Sequence, residues 1–238
     1  MKKVLCIISI LLCILLTACG DATSIGIIGG ADGPTSVIVA EKGEKTMCTS
    51  IAFNKNGSFF GRNLDLEYNI GEKITFMPRN FPLVLRNGNT FEHHFAVIGT
   101  AHIAGGYPLF YDGINEHGVF CAALNFPKSA VYFSEKTGME NLAPFEIIPF
   151  VLSSCSNLGE AKELLKNVNV LSTDFSDVLK STPLHWFFGD KTGSITVESV
   201  EIGLKIYENP IGVLTNSPSF DIQLFSLNHY RNLLTRTP

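Results

Sequence analysis

The sequence predicts an α+β domain with helices layered on antiparallel sheet, and three observations carry that prediction. From Cys48 onward, short runs rich in β-branched and aromatic residues recur between turn signals such as Asn-Gly. Two helical stretches interrupt these runs and a third closes the chain. No internal repeat is present, and 238 residues suffice for one good core plus appendages.

The elements follow in order. Thr49 to Phe53 and Ser58 to Arg62 flank Asn54-Lys-Asn-Gly57, a strong hairpin signal. Lys73 to Met77, Leu83 to Arg86 before Asn87-Gly88, and His94 to Thr100 read as further strands. Gly118 to Asn125 is a buried strand that stops short of Pro127. Pro144 to Ser153 is apolar and helical, with Pro144 in its first turn and Pro149 a site for a kink. Asn157 caps a second helix, Leu158 to Lys166, where Glu160 completes a capping-box pattern and Leu164 and Leu165 supply part of the apolar face. Strands return at His185 to Gly189, Ser194 to Val200, Leu204 to Tyr207 and Gly212 to Thr215, the first two joined by the turn Asp190-Lys-Thr-Gly193. Ile222 to Leu234 is the last helix, carrying Leu224, Leu227 and Leu234.

Upstream of Cys48 the pattern differs. Residues 1–19 read as an export signal: Lys2 and Lys3, an apolar run from Val4 to Leu16, then Thr17 and Ala18 before Cys19. That run is too short to span a bilayer comfortably. Residues 20–47 form a separate linker or pro-segment, in which the glycines and Pro34 argue against a helix.

Composition narrows the function classes. The hydrophobic fraction is 45%, the charged fraction 17% and the net charge −4, which describes a globular protein without a nucleic-acid surface. Of six cysteines, Cys6, Cys13 and Cys19 belong to the leader, leaving Cys48, Cys121 and Cys155 in the body without a CxxC pair. Cys121 and Cys155 read as buried thiols, and His185-Trp186 as core. No HExxH pair occurs among the histidines, so neither a metal nor a cofactor is expected.

Cys48 is the residue that suggests chemistry. Placed at the head of a chain, a cysteine is its own nucleophile and base, because an α-amine of pKa about 7.7–8.0 is matched to a thiol of pKa about 8.5. Arg62 and Asp65 follow within FGRNLDLEY. Taken singly, Cys48 reads as a buried thiol, Arg62 and Asp65 as a surface ion pair, and Asn125 or Asn216 as turn residues. The five together point to catalysis.

That series, Cys48, Arg62, Asp65, Asn125 in CAALNFP and Asn216 in GVLTNSP, closely resembles the choloylglycine hydrolase family of N-terminal-nucleophile hydrolases, which contains bile salt hydrolases and penicillin V acylases. The resemblance runs from Met47 to the end through GRNLDLEY, PRNFP, DGINEHG, LNFP, LHW and GVLTNSP. It implies a four-layer αββα sandwich and cleavage of a linear carbon–nitrogen amide bond. Within it, Arg62 would favour the Cys48 thiolate, Asp65 would hold the amine, and Asn216 with Asn125 would donate to the tetrahedral oxyanion. Asn at 125, where the acylase branch tends to have Tyr, favours glycine- or taurine-conjugated bile salts as substrate. Met77, Phe81, Phe126 and Phe133 are candidates for an apolar wall against the steroid.

Against the family pattern, 47 residues precede Cys48, and the chain ends before the C-terminal segment that supplies further strands and another active-site arginine. Arg231 and Arg236 lack that arginine's context, so the sandwich is expected to be incomplete. The Leu16-Thr17-Ala18-Cys19 ending resembles a bacterial lipobox, implying lipid on Cys19 and an exported protein that is membrane-anchored or extracellular; translation from Met47 would make it cytoplasmic. IGIIGGADGPT resembles a stretch of the β subunit of sodium-pumping decarboxylases and carries no function over. The alternatives are an acylase for penicillin V or acyl-homoserine lactones, and a non-catalytic lipoprotein. Beyond the amide substrate and a membrane, the partner left open is a second copy, as a homo-oligomer.

Overall fold

The computed structural model describes residues 25–30, 33–39, 47–54, 57–65, 71–91 and 93–228. The export signal, Cys19, Leu234, Arg231 and Arg236 lie outside the described residues. The chain divides into two compact units, Met1–Thr46 and Met47–Pro238. In the first, β1 (Ile25–Gly30) and β2 (Gly33–Val39) form an antiparallel hairpin, with a register shift at Ile28/Gly29. The absence of a helix expected from its glycines and Pro34 is thus matched by strand, which its isoleucines and valines favour.

The second unit begins with β3 (Thr49–Asn54), β4 (Ser58–Asn63) and β5 (Lys73–Met77). The short β6 (Leu83–Val84) and β7 (Thr90–Phe91) pair around Asn87-Gly88, and β8 (Val97–Ala104) and β9 (Tyr107–Phe110) form a hairpin. Next come β10 (Asp112–Asn115), β11 (Phe120–Asn125) and β12 (Glu140–Leu142), then a 3-10 turn at Pro144–Glu146. Helices α1 (Ile147–Ser154) and α2 (Leu158–Leu165) are followed by β13 (Val168–Val170), β14 (Leu184–Asp190), β15 (Gly193–Val200), β16 (Gly203–Glu208) and β17 (Val213–Thr215). Helix α3 (Phe220–Asn228) is the last described element.

An eight-stranded sheet in the order β16-β15-β14-β11-β10-β8-β5, with β9 paired to β8, forms the centre. Strand alternation sorts its side chains into two layers. Cys121, Ala123, Trp186, Phe188, Ile195 and Val197 face one way and pack with Ile147, Val151 and Leu152 of α1 and Leu165 of α2. Phe120, Ala122, Leu124 and Phe187 face the other way and pack with Cys48, Leu214 and Phe220. A strand covered on both faces needs no polar alternation, which is why FCAALN is almost continuously apolar. The second face is covered by a three-stranded sheet, β17-β3-β4. That cover stops partway: Ile114, Ile98 and Phe76 stand in one cross-strand row on β10, β8 and β5, and all three are exposed.

The helical pair departs from expectation at its start. Residues 144–153 do not form one helix; the 3-10 turn leads into α1, where Pro149 is third in line. Backbone N–H groups of a first turn have no intrahelical acceptor, so a proline there removes nothing and the helix is not broken. The Glu146 carboxylate, wholly buried, accepts the N–H of Arg86 at 2.6 Å and of Ala143 at 2.7 Å. In α2, Asn157 Oδ1 accepts the Glu160 N–H at 2.9 Å, while the Glu160 carboxylate reaches Ser156 N–H at 2.7 Å, one residue beyond the position a capping box uses.

Candidate active site

The small sheet assembles the site. Thr49 lies opposite Asn63 on one side and Thr215 on the other, so one further step of register sets Cys48 beside Asn216. Residues two apart on a strand share a face, and opposite residues share it too. Cys48, Ser50, Arg62, Leu214 and Asn216 therefore all look inward, toward the large sheet. Cys48, Ser50, Leu214 and Asn216 are buried there. Two separate segments, 48–62 and 214–216, thereby meet at a single point.

The peptide that joins Met47 to Cys48 is held on every side. Cys48 N–H donates to Asn216 Oδ1 at 3.3 Å, and Met47 N–H donates to Asp65 Oδ2 at 3.1 Å. Asn63 bridges the junction, its Nδ2 donating to the Met47 carbonyl at 3.1 Å and its Oδ1 accepting Thr49 N–H at 2.6 Å. Asp65 thus takes the N–H one residue ahead of the cysteine. It is exposed and has no ion pair with Arg62 among the described residues.

Arg62 turns the other way. Its guanidinium crosses to the large sheet, Nη2 donating to the Ala123 carbonyl at 2.9 Å and Nη1 lying 3.4 Å from Asp112 Oδ2. Asp112 Oδ1 in turn accepts Thr100 N–H at 2.9 Å. Arg62 Nε is buried without a hydrogen-bond partner. The arginine is consequently both an ionic strut between sheets and a cation near the inward face that carries Cys48. Cys121, below it, is an inert buried thiol: burial pushes its pKa well up, with the Asp112 charge adding and Arg62 opposing. Cys155 is pushed up to about 12 by burial, with Glu160 adding.

Asn125 ends β11 opposite Leu184, half-buried, and its side chain makes no hydrogen bond among the described residues. Its place at the end of β11 is set by pairing within the large sheet, whereas Cys48 and Asn216 are brought together by the small one. The apolar candidates are scattered. Met77 and Phe126 lie inside the core at 2% and 0% exposure, with no surface to offer a ligand. Phe81 is half-buried against the main core, and Phe133 bridges to Leu171 with the Lys136 Nζ 4.3 Å above its ring. None of the four joins the apolar cluster around Cys48. A cavity of about 330 Å³ opens at Leu85, Arg86, Tyr107, Phe145, Glu146 and Phe175, and none of the five candidate catalytic residues lines it.

Sequence reasoning missed Asp112, Asn63 and the buried Glu198. Asp112 stood in the DGINEHG motif, but only the fold shows that an arginine 50 positions earlier is its partner. Asn63 could have been found by alternation, since it follows the inward Arg62 and so points to the opposite face.

Residues 48–238 match the family model described as linear amide C–N hydrolases, choloylglycine hydrolase family. The chain belongs to this family. It is 45% identical over 192 residues to a bile salt hydrolase/transferase of Lactiplantibacillus plantarum, covering 81% of this chain and 59% of that one. It is 42% identical to the Clostridium perfringens bile salt hydrolase/transferase, with 79% and 58% covered. A crystal structure of the conjugated bile acid hydrolase of C. perfringens superposes with a TM-score of 0.74 at 40% identity, covering 77% of this chain and 57% of that one. The penicillin V acylase of Agrobacterium tumefaciens superposes at 0.64 with 20% identity, covering 78% and 57%, a likeness of fold alone. The fold of this choloylglycine hydrolase family chain is therefore the αββα sandwich of N-terminal-nucleophile hydrolases. The chain spans less than two thirds of the curated relatives it matches.

Proposed function

We propose that this chain hydrolyses the amide bond of conjugated bile salts, using Cys48 as an N-terminal nucleophile once the preceding residues are removed. The observation that carries the reading is the meeting of Cys48 with Asn216 on the inward face of the small sheet, at 3.3 Å from backbone nitrogen to amide oxygen. After cleavage of the Met47–Cys48 bond, that nitrogen becomes an amine able to take the thiol proton. The thiolate attacks the substrate carbonyl carbon, and the resulting oxyanion is met by the amide donor of Asn216 and by the Asn125 end of β11. Loss of one such donor in other enzymes costs about 2.7–4 kcal/mol of barrier stabilisation. The amine then returns its proton to the departing glycine or taurine nitrogen, leaving a thioester on Cys48. Water, deprotonated by the same amine, attacks the thioester carbonyl; the bile acid leaves and the thiol is restored. Arg62 supplies positive charge near the sulfur, tempered by Asp112.

The substrate class is favoured by relatives at 36–45% identity that are named for bile salts, against 20% for the acylase. We also propose that residues 1–19 direct export, that Cys19 is lipidated, and that residues 20–47 are a pro-segment. The boundary between the two compact units, between Thr46 and Met47, supports that last assignment. Two measurements test the whole. Protein sequencing of mature material is expected to begin at Cys48, and glycine or taurine is expected to be released from cholate conjugates, with Cys48→Ser abolishing release. Turnover by a chain that still carries Met47 would refute the mechanism, and preferential cleavage of phenoxyacetyl amides would move the substrate to the acylase class.

A further inference from the structure

Asn216 sits in the turn between β17 and α3, and that turn rests on a buried acid–imidazole pair. His185 on β14 and Glu198 on β15 are cross-strand partners, and His185 also stands opposite Leu124, which places both side chains between the sheets. Both are fully shielded, with His185 Nδ1 3.2 Å from Glu198 Oε1. The same Oε1 accepts the N–H of Phe220 at 2.8 Å, the first residue of α3 and the fourth after Asn216. The imidazole lies flat on Phe126, centroids 4.4 Å apart and planes at 6°, and Phe126 follows Asn125. The backbone of Thr215, which precedes Asn216, adjoins the ring and favours its charged form. From the other side, Gln223 Nε2 donates to the carbonyls of Asn216 at 2.8 Å and Pro218 at 2.7 Å.

A core chosen for stability alone would fill this space with apolar side chains, because desolvating a carboxylate and an imidazole is unfavourable even when they pair. Here two further atoms, His185 Nε2 and Glu198 Oε2, are buried with no hydrogen-bond partner. Burial, outweighing the Glu198 carboxylate, holds the imidazole below its usual pKa, so at neutral pH an uncharged ring donates Nδ1–H to Oε1. Lys205, opposite Glu198, and Tyr207 and Asp221 beside it are the other ionisable groups that share this field. What the arrangement does achieve is contact with both strand ends that carry the two asparagines.

We propose that the His185–Glu198 pair, with Gln223 closing from α3, is a positioning device that fixes the Asn216 amide and, through Phe126, the Asn125 end of β11. The inference rests on the hydrolase reading for its catalytic consequence, but the positioning can be measured without turnover. The test uses the full-length chain with Glu198→Leu, Glu198→Gln and the half-buried, surface-placed Gln223→Leu. In hydrogen exchange, Glu198→Leu and Gln223→Leu are expected to speed amides of residues 214–223 by roughly tenfold while α1 and α2 stay as in wild type. In turnover, the same two are expected to lower kcat about 10- to 100-fold with KM within about twofold, and Glu198→Gln, which keeps the Oε1 acceptor, to recover most of kcat. Wild-type exchange in residues 214–223 of Gln223→Leu, or a rise in KM with kcat intact, would overturn the proposal. If Glu198→Leu fails to fold, Gln223→Leu decides alone. If the wild type turns over no bile salt, the hydrolase reading falls and the exchange result still decides the positioning.

Discussion

The two halves of the large sheet share one helical layer but differ on the opposite face. On β11, β14 and β15 that face meets the small sheet, and Phe120, Phe187 and Leu214 share one buried cluster with Cys48. On β10, β8 and β5 the equivalent face carries Ile114, Ile98 and Phe76, exposed at 37%, 47% and 65%. Both rows are apolar, so the residue types alone do not separate a covered face from an open one. The difference shows in how the strands are tied. The covered half places its proposed chemistry at the layer boundary, where polar groups find partners on both sheets. Along its open face and outer end, the other half relies on backbone pairing and a surface ion pair.

The largest expected effect lies in the covered half. Phe187→Ala removes a fully buried ring that packs on Phe120 at 5.9 Å, and should lower unfolding free energy by about 3–5 kcal/mol in urea titration. A loss under about 1 kcal/mol would mean that the small sheet does not close over it. Next comes the seam between the halves, where Arg62 holds Asp112 on β10 and Ala123 on β11. Arg62→Met leaves the Asp112 carboxylate buried without its cation, an expected loss of about 3 kcal/mol. Adding Asp112→Asn should return part of that loss, which a double-mutant cycle measures; additive losses would deny the coupling. On the open half, Phe76→Ala should stay within about 0.5 kcal/mol of wild type, because little ring surface is withdrawn from water there. A loss like that of Phe187→Ala would show that the face is covered in solution.

The contrast also explains what was legible in the sequence. Strands with clear flanking turns were placed within one or two residues: Lys73–Met77 matches its predicted bounds, and β14 to β17 differ only at their ends. β9 and β10 escaped notice because YPLF and DGIN are four residues each, broken by Pro108 and Gly113, with too little pattern to separate from a loop. β12 and β13, three residues each, pair in parallel, and a parallel partner leaves no hairpin signal. Of the site, Cys48 and Asn216 were legible through motif and are adjacent through register. Asp65 was legible as a carboxylate but not as the acceptor for Met47 N–H, and Asp112 was not legible as the partner of Arg62, because it lies 50 positions further along the chain on the other sheet. The buried His185–Glu198 pair left no local mark, since both residues sit in strands that otherwise read as plain core.

The smallest expected effect concerns a charge pair at the end of the open half. Arg79, just after β5, binds the carboxylate of Glu116, just after β10, which also accepts Ala96 N–H at 2.9 Å. Arg79 and that backbone bond hold the Glu116 pKa down to about 2, below the usual carboxylate value of about 4.3. A depressed carboxyl binds its proton more tightly in the unfolded chain, so its contribution is present above about pH 4.3 and is lost as pH falls toward about 2. Glu116 is solvent-facing, so salt and water screen the pair and its share of stability is small. Glu116→Gln should therefore show a urea midpoint slightly and constantly below wild type from pH 7 to about 5, with the two curves converging in acid. Parallel curves down to pH 2 would show that the strand ends of the open half are held by pairing alone, and that the ion pair joins them without adding to their stability.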